Sequence, residues 1–342
     1  MRFILFCLFV FAISFEAVSA QEKSSLALPE GGGVIDEWFS HLPIDVMMGA
    51  KVTAAASEVG RVPWLYELFP SLKKIKTVPV GGMSAEEMLL LHPSLVVLPG
   101  ERAGKMDQLE KMGLHVALMD FVDYAGLLAC VKKSASLENT PLSLGRAEKY
   151  QKFLIENLGH APVNMETTFC IPHGWKGHSR EVSSGPKVLH ISSLEPLKAD
   201  GKETVIEEWI QNAGGQNVFT GKGNKKPITW EQVYAWNPDI IILQANAGSW
   251  KAPTVPKGAF LLKAAKENHI YRNPAGLFLW DRSGPELALQ LLWAKWVMSG
   301  KTREDENEIK KKMRFFYKEF YDLKPSDEIL EKILQGEAPD LV

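Results

Sequence analysis

The sequence predicts an α/β protein with two Rossmann-like lobes, each built on a parallel-type sheet, joined by a long α-helix. Three observations support this fold class. Short apolar strands alternate with helices up to residue 120, the strand signal disappears between residues 124 and 158, and strands resume at residue 187. Alternation of this kind is typical of a parallel sheet flanked by helices, and its interruption predicts a boundary between two such units.

A duplicated pattern strengthens the prediction of two lobes. The segments SAEEMLLLHPSLVVLPG (84–100) and TWEQVYAWNPDIIILQA (229–245) each place a Glu seven residues before a Pro, and an apolar run follows each Pro. Both runs are too short for a helix and apolar throughout, as expected for a strand covered on both faces. The duplication therefore predicts one helix–strand unit in each lobe.

The composition is that of an ordinary globular protein. The chain has 342 residues, of which 46% are hydrophobic and 23% charged, with a formal net charge of −2. This length leaves room for two domains. No stretch combines dense Lys and Arg with interleaved aromatic residues, so nucleic acid is not an expected partner.

The first twenty residues predict export. Arg2 is followed by an apolar run and then by the small residues Ala17-Val18-Ser19-Ala20, which indicate a signal peptide cleaved after Ala20. Cys7 lies inside the apolar run and not directly after a small-residue box, so a lipid anchor is not predicted. No later segment reaches the roughly twenty apolar residues of a membrane span. We therefore expect a soluble exported protein that begins at Gln21.

The elements of the first lobe follow from the same patterns. Ser84 is a suitable N-cap for a helix, with Glu87 three residues later to complete a capping box. In chain order we expect a strand at 25–28, a glycine loop at 31–33, a helix at 34–42, a strand at 45–48, a short helix within 62–75, the Ser84-capped helix, a strand at 94–98, a helix at 103–113 and a strand at 114–120.

The second half repeats this order after a long helix. Apolar residues at three- and four-residue steps predict one apolar helix face over 143–158. Ser283 and Pro285 are suitable residues for the start of a further helix over 283–299. Strands are expected at 187–191 and 268–274, and a helix at 203–215. We divide the chain into a signal peptide at 1–20, an N-terminal lobe at 21–140, a linking helix at 141–165 and a C-terminal lobe with terminal helices at 166–342.

The cysteines leave two alternatives open. Export permits a disulfide between Cys130 and Cys170, but the sequence does not decide whether one forms. Cys170, His173 and His178 have a spacing that could also hold a soft metal ion. Three ligands fall short of the four of a structural zinc site, so an exposed polar insertion is favoured.

Five segments of the chain occur in the order that is typical of one known protein family. They are the opening strand with its glycine loop, the two repeated units, the long middle helix, FLWDRSGPELALQLLWAKWV (278–297) and FYKEFYDLKPSDEILEKIL (316–334). Together they resemble the periplasmic substrate-binding proteins of ABC importers for iron siderophores, haem and cobalamin, whose two lobes are joined by one rigid backbone helix. The resemblance covers nearly all of the expected mature chain.

The resemblance implies a function and its partners. We expect a monomeric, non-enzymatic protein that captures an iron chelate, a siderophore or haem, in the periplasm and delivers it to an ABC permease dimer in the inner membrane. Cobalamin or another corrinoid and a nickel chelate remain alternatives for the same fold. The metal chelate is the transported ligand, and no permanently bound cofactor is expected. Hinge motion should be small, because a helix resists bending.

Two exposed glutamates are expected to contact the permease. In the family that this chain resembles, each lobe carries such a Glu, which docks onto arginines of the permease. The matching positions are Glu86 and Glu231. Two carboxylates on two lobes would pair with two Arg forks and fix the orientation. The alternative is that both are ordinary acidic residues near a helix N-terminus.

The ligand is expected between the lobes, where the carboxyl ends of both sheets face each other. Aromatic side chains there would suit flat rings, and arginines would suit carboxylates or the negative charge of a ferric chelate. For the tryptophans, core packing is the competing explanation. The candidate ligand-binding residues are Trp64, Tyr66, Arg102, Asn246, Trp250, Trp280 and Arg282.

The sequence does not decide whether a protein side chain ligates the metal of the chelate directly. Tyr66 lies near the expected cleft, but the histidines fall on predicted helices or strand edges, where structural hydrogen bonds are the commoner role. These histidines are His41, His92, His115, His160, His190 and His269.

An exported α/β enzyme is the main alternative class. The sequence contains no G-x-S-x-G or H-E-x-x-H motif. The glycine-rich segment GGQNVFTGKGNKK departs from a P-loop, because Lys222 is followed by Gly223 where Ser or Thr is required. A sensor or scaffold with the same two-lobed fold is a third possibility.

Overall fold

The structure is a computed structural model that describes residues 32–56, 63–162, 184–300 and 303–339. The expected signal peptide, the strand expected at 25–28, and Cys170, His173 and His178 lie outside the described residues. Within them the chain forms two α/β lobes, each with its own sheet. The predicted fold class is thus confirmed.

The first lobe contains a sheet of five parallel strands in the order β3-β2-β1-β4-β5. In the centre, Val34 of β1 lies opposite Val52 of β2 and Leu95 of β4. Every residue of β4 is buried, as expected for a strand covered on both faces. The strands are β1 (Val34–Asp36), β2 (Val52–Ala56), β3 (Lys76–Val78), β4 (Leu95–Pro99) and β5 (Val116–Met119).

Short helices flank this sheet. The predicted capping box of the third one is confirmed, since the Ser84 side chain accepts from the Glu87 N–H and Glu87 accepts from the Ser84 N–H. 3₁₀ turns occupy Pro70–Lys74 and Gly100–Lys105. The helices are α1 (Leu42–Met48), α2 (Pro63–Leu68), α3 (Ala85–Leu90) and α4 (Met106–Lys111).

The opening of this lobe corrects two predictions. The sequence indicated a helix over 34–42 and a strand over 45–48, but the structure has strand β1 at Val34–Asp36 and helix α1 at Leu42–Met48. All three consecutive residues of β1 are buried between β2 and β4. An amphipathic helix would bury only one face and leave some of three consecutive residues exposed. Pro43 fits the first turn of α1, where its missing N–H costs no hydrogen bond. Strand β2 had no counterpart in the sequence prediction.

Two helices connect the lobes, α5 (Tyr124–Glu138) and α6 (Pro141–Leu158). Thr140 caps α6, and Gly159 ends it with φ of 79°. The helix predicted over 143–158 is thus observed, and it ends where the chain turns left-handed at this glycine. Helix α6 packs against α1 of the first lobe and against the helix Leu287–Met298 of the second.

The second lobe has a mixed sheet in the order β11-β10-β6-β7-β9, with β8 paired to β6. Strands β6, β10 and β11 are parallel, as predicted, whereas β7 and β9 run antiparallel. Only two residues join β6 to β7, and so short a link can connect antiparallel strands but not parallel ones. The strands are β6 (Lys187–Leu194), β7 (Leu197–Ala199), β8 (Gln216–Asn217), β9 (Lys226–Pro227), β10 (Ile240–Leu243) and β11 (Ile270–Arg272).

Helices complete the second lobe and return to the first. The expected N-cap Ser283 is wrong, because the helix starts later and Glu286 occupies its N-cap position. A 3₁₀ turn lies at Lys257–Leu261. The helices are α7 (Val205–Asn212), α8 (Trp230–Trp236), α9 (Lys263–Lys266), α10 (Leu287–Met298), α11 (Arg303–Tyr321) and α12 (Asp327–Leu334).

The hydrophobic core is continuous between the lobes. One buried cluster contains residues of β1, α1, α6, α10 and α11 together. Polar contacts cross the same boundary: Tyr150 Oη donates to Pro285 O at 2.8 Å, and Asn157 Nδ2 donates to Ala288 O at 3.1 Å. The lobes are therefore joined by packed helices as well as by the chain itself.

Candidate functional site

The candidate site lies at the carboxyl ends of the two sheets. In the first lobe, β1 and β4 are neighbours in the sheet although two strands separate them in the chain. Such a reversal of strand order leaves a crevice at the strand ends, where ligands bind in open α/β sheets. Glu37 directly follows β1, and Arg102 lies in the 3₁₀ turn after β4.

The buried carboxylate of Glu37 and the partly exposed guanidinium of Arg102 form an ion pair at this position. Arg102 Nη1 lies 2.5 Å from Glu37 Oε2, and Arg102 Nη2 donates to Val80 O at 2.6 Å. The Met83 N–H donates to the other carboxylate oxygen at 2.6 Å. Gly82, at φ of 87°, passes so close that a Cβ there would meet both charged groups. The loop after β3 therefore holds the guanidinium in place.

Among the described residues, hydrogen bonds engage one N–H on each terminal nitrogen of Arg102. A guanidinium carries five N–H donors, so this one retains donors for a ligand. Its side chain is 15% exposed. Arg102 thus combines a fixed orientation with spare hydrogen-bonding capacity.

The second lobe carries a comparable arginine, Arg282, but more of its N–H donors are already hydrogen-bonded to protein atoms. Arg282 binds both carboxylate oxygens of Asp200, at 3.0 and 2.8 Å, and its Nε donates to Gln244 Oε1 at 2.7 Å. The remaining two N–H groups reach Asn224 Oδ1 at 3.1 Å and Gln244 Oε1. All five donors of Arg282 therefore have protein acceptors.

His190 supports this network from within β6. Its Nδ1 lies 2.8 Å from Asp200 Oδ2, and its Nε2 lies 2.9 Å from Asp281 Oδ2. Burial alone would lower the pKa of His190, but Asp200 and Asp281 raise it above its usual range. Burial likewise opposes ionisation of Asp200, yet Arg282 and His190 hold the pKa of that carboxyl far below its usual range. The cluster is a charged and internally balanced unit.

Aromatic side chains join the two strand-end regions. Phe39, just beyond β1, packs on Phe278 of the second lobe with ring centroids 5.8 Å apart. Trp38 makes an edge contact with Phe121, at 5.6 Å between centroids. The segment that follows β1 thus contacts the segment that leads to Arg282.

The predicted ligand-binding residues separate into two groups. The structure places Arg102 directly after β4, as expected. No described strand directly precedes Arg282, but its hydrogen bonds to Asp200 and Gln244 hold it beside the ends of β7 and β10. Asn246 is also there, exposed in the turn after β10, where its side chain accepts from Gln244 Nε2 at 2.5 Å. Tyr66 is half-buried and packs against the main core. Whether these side chains contact a ligand stays a prediction.

The structure places the three candidate tryptophans in packed clusters. Trp64 and Trp280 are 3% and 0% exposed, and Trp64 Nε1 donates to the Glu337 carbonyl at 2.9 Å. Trp250 belongs to a separate cluster, where it packs on Trp230 with centroids 5.8 Å apart. Core packing, the competing explanation, therefore accounts for Trp64 and Trp280.

Three polar residues of the site, Glu37, Gln244 and Asp200, were not predicted from the sequence. Glu37 was hidden by the helix expected over 34–42, although an acidic residue directly after an apolar strand is a usable signal. Gln244 follows the strand Ile240–Leu243 directly, so it could have been found beside Asn246. Asp200 follows the unpredicted strand β7 and had no comparable signal.

The two proposed docking glutamates occupy equivalent positions. Glu86 and Glu231 are each the second residue of a short helix with a capping box, in α3 and α8, and both are exposed. Each helix precedes a central buried strand, β4 or β10. Hydrogen bonds from its own backbone and from Thr229 lower the pKa of Glu231, which keeps it ionised. The duplicated sequence pattern is thus a duplicated structural unit.

One group of potential metal ligands occurs among the described residues. Asp36, His41 and Asp45 place their ligand atoms within 4.8 Å of one another, and all three are buried. Cys130 is disulfide-bonded, and the other two cysteines of the chain, Cys7 and Cys170, lie outside the described residues. No helix in the described part of the chain is long and apolar enough to cross a bilayer.

The fold of this chain is similar to that of solved solute-binding proteins. No family model and no curated protein matches the sequence. Among solved structures, a periplasmic solute-binding protein from Veillonella parvula superposes with a TM-score of 0.69 at 18% identity, over 90% of this chain and 93% of that one. The Haemophilus influenzae molybdate-binding protein MolA gives 0.66 at 16% identity, over 87% and 95%.

A third solved structure extends the range of ligands seen with this fold. The Helicobacter pylori protein CeuE with bound Ni(II) superposes with a TM-score of 0.65 at 16% identity, over 90% of this chain and 96% of that one. Because each of these superpositions covers nearly the whole of both chains, the chain has the two-lobed fold of the periplasmic solute-binding proteins that its sequence resembles.

Proposed function

We propose that this protein is a periplasmic solute-binding protein that captures an anionic metal chelate, an iron siderophore or haem, and delivers it to an ABC permease. The observation that carries the proposal is Arg102, an arginine fixed at the strand ends of the first lobe with N–H donors to spare. An arginine held in this way recognises carboxylate or catecholate oxygens through directed hydrogen bonds. The shared fold supports the same reading.

The second lobe supplies a pre-formed polar surface that complements Arg102 of the first lobe. Arg282, Gln244 and Asn246 are held by one another and by Asp200, so they need little reordering when a ligand arrives. Arg282 contacts a ligand directly only when Asn224, an exposed residue, releases one of its N–H groups. We assign Arg102 the main charge contact and Arg282 a supporting one.

Delivery would use the matched pair Glu86 and Glu231. Exposed apolar side chains accompany both carboxylates, Leu89 and Leu90 on α3 and Tyr234 on α8. A carboxylate beside exposed apolar surface is a suitable contact for a permease that offers arginines. In this proposal the protein acts as a monomer and catalyses no reaction.

Ligand titration tests the proposal. The purified mature protein is titrated with a ferric catecholate siderophore, haem, cobalamin, a nickel–histidine chelate and molybdate, with tryptophan fluorescence and calorimetry as readouts. We expect saturable binding of one anionic chelate with Kd of about 1 μM or below. Saturation by cobalamin or the nickel chelate would favour the alternative cargo, and absence of saturation by every compound would refute the transport function.

A further inference from the structure

A buried cluster beneath the site is not explained by ligand capture. Asp36 ends β1, His41 is the N-cap residue of α1, and Asp45 lies in the first turn of that helix. Asp36 and His41 are 0% exposed and Asp45 is 3% exposed. None of the three side chains can reach a ligand in the cleft from this position.

The distances inside the cluster fit the ligands of one metal ion, although the contact between His41 and Asp36 is also within hydrogen-bond range. His41 Nδ1 lies 3.3 Å from Asp36 Oδ2 and 3.4 Å from Asp45 Oδ1. Charge-assisted N–H···O hydrogen bonds are shorter, about 2.7–2.9 Å. Tetrahedral zinc with bonds of about 2.0–2.2 Å separates neighbouring ligand atoms by about 3.3–3.5 Å. Both distances therefore match the edges of a coordination tetrahedron.

The charges in the cluster are not balanced by the protein. Within the described part of the chain, no lysine or arginine lies within 4.0 Å of either carboxylate, and the only ion-pair partner of both is His41. Asp45 Oδ2 is buried and has no hydrogen-bond partner there. Two ionised carboxylates exceed the single positive charge that a protonated imidazole can supply, and an uncompensated buried charge is costly in an apolar interior. A divalent cation would neutralise both carboxylates.

The surroundings orient the ligand atoms. His41 Nε2 lies 2.8 Å from Ser134 Oγ of α5, so a proton on Nε2 leaves the Nδ1 lone pair directed at the carboxylates. Asp36 Oδ1 accepts the Trp38 N–H at 2.8 Å, which leaves Oδ2 for an ion. Metal-binding histidines and carboxylates are held by hydrogen bonds of this kind.

A second buried cluster in the same chain provides the contrast. His190 also lies between two aspartates, but Asp200 and Asp281 contact opposite ring nitrogens at 2.8 and 2.9 Å. That arrangement is a chain of ion pairs with an arginine attached, and it offers no common point for three ligand atoms. In the first lobe, by contrast, both carboxylates converge on one nitrogen.

We propose that Asp36, His41 and Asp45 bind a structural divalent cation of the zinc type, through Oδ2, Nδ1 and Oδ1. The unpartnered Asp45 Oδ2 is available to make that carboxylate bidentate. Because the site is buried, the ion is taken up during folding and retained, unlike a transported ligand. This ion is permanent, whereas no resident cofactor was expected from the sequence. The proposal is independent of the transport function.

Metal content and refolding test this site. The full-length exported protein is purified without metal-affinity resin, and its metals are measured by mass spectrometry. A second sample is unfolded in guanidinium with EDTA and refolded with or without Zn²⁺. We expect about one zinc per chain in the native sample, and a Tm about 5 °C or more higher after refolding with Zn²⁺. Native protein with no stoichiometric metal and no Tm shift on refolding with Zn²⁺ would overturn the proposal.

Matched variants and X-ray absorption locate the ion. Asp45→Asn should lose the bound zinc and the Tm response, whereas His190→Gln, in the other buried Asp–His–Asp cluster, should keep both. X-ray absorption of the native protein needs no variant to fold: it should show nitrogen and oxygen ligands at about 2.0–2.1 Å with one imidazole. A sulfur ligand at about 2.3 Å, or zinc retained by Asp45→Asn, would place the ion elsewhere and refute the assignment.

Discussion

At the scale of single residues, Arg102 and Arg282 have different capacities although they occupy comparable places. Arg102 lies in the turn after β4, and Arg282 is held beside the ends of β7 and β10 by Asp200 and Gln244. Both arginines are paired with a buried carboxylate. Arg102 keeps donors for a ligand, whereas all five donors of Arg282 bind protein atoms. Substitution by lysine separates the two roles, because an ammonium keeps the charge but loses the planar fork.

We expect Arg102→Lys to weaken binding of the anionic chelate about tenfold or more, with a loss of less than about 1 kcal/mol of stability. Arg282→Lys should instead destabilise the fold by about 2 kcal/mol or more, because the bidentate contact to buried Asp200 is lost. Urea unfolding and calorimetric titration of both variants measure the two effects. Equal loss of affinity in both, with unchanged stability, would contradict the distinction.

A second residue-level prediction concerns Gly276. A Cβ at this position would overlap Glu286 Oε1 and Tyr317 Oη, which hydrogen-bond to each other in the core. Glu286 also accepts the N–H groups of Leu277 and Phe278, at 3.0 and 2.7 Å, so it cannot move without losing them. We expect Gly276→Ala to lower the free energy of unfolding by about 1–3 kcal/mol.

Gly145 provides the matched control for this substitution. It lies within α6, and no neighbouring atom lies within 4 Å of a Cβ built there. Gly145→Ala should stabilise the protein by about 0.5–1 kcal/mol, because alanine favours the helix. Urea unfolding should therefore give opposite signs for the two Gly→Ala variants, and equal signs would show that the packing at Gly276 is not as described.

At the scale of elements, the N-terminus of α5 is a junction between the lobes. Asp123 caps the helix through the Gly126 N–H, and Glu208 of α7 accepts the Tyr124 N–H at 2.9 Å. Burial raises the pKa of Glu208 to about 8, and the nearby Asp123 carboxylate adds to the shift. Two carboxylates from different lobes therefore share one helix end.

The raised pKa of Glu208 predicts how stability depends on pH. The unfolded side chain loses its proton near pH 4.5 and the folded one near pH 8, so the folded state binds more protons between these values. This contribution to stability is present below pH 4.5 and falls as pH rises to 8. Glu208→Gln keeps an acceptor for the Tyr124 N–H and removes the charge. We expect it to be about 1 kcal/mol or more stabilising near pH 9 and neutral near pH 4.

Urea unfolding at several pH values measures this effect. Glu110→Gln, at an exposed position of α4, serves as the control and should show no pH-dependent difference from the unsubstituted protein. A constant difference between Glu208→Gln and the unsubstituted protein at all pH values would rule out titration of Glu208 as the cause.

At the scale of the whole molecule, the two lobes form one mechanically coupled body. Helix α6 and the continuous core join them, and the helix–strand units α3–β4 and α8–β10, with Glu86 and Glu231, lie one in each lobe. A surface that must present two carboxylates at a fixed separation benefits from such coupling, because little freedom is lost on docking. The proposed delivery step therefore depends on both lobes together.

Charge reversal tests the docking surface. We expect Glu86→Lys combined with Glu231→Lys to abolish stimulation of the permease ATPase by the loaded protein, because two carboxylate–arginine pairs become repulsive. Ligand affinity and Tm should not change, since both side chains are exposed. ATPase assays with the permease in lipid vesicles measure the effect.

The control for this reversal uses a glutamate in the same local position. Glu328 is the second residue of the Ser326-capped helix α12, so Glu328→Lys combined with Glu110→Lys changes the net charge equally. The control should leave stimulation intact. Stimulation that survives in the double variant of Glu86 and Glu231 would remove these residues from the docking surface.

Local patterns in the sequence were sufficient for much of the architecture. The capping box at Ser84, the apolar strands β4 and β10, and the helix that ends at Leu158 depend on neighbouring residues alone, so their periods and caps predicted them. The opening of the first lobe was predicted wrongly, because three buried residues of β1 have no period that distinguishes a strand from a helix.

By itself the sequence determined the fold class, the repeated helix–strand unit and the position of Arg102 after β4, because each depends on residues close together in the chain. Only the tertiary structure decided which side chains act together. Glu37 meets Arg102 across 65 residues and Asp200 meets Arg282 across 82, and the same packing buries Trp64 and Trp280. Such pairings depend on how the strands are ordered in the sheets, which no local pattern encodes.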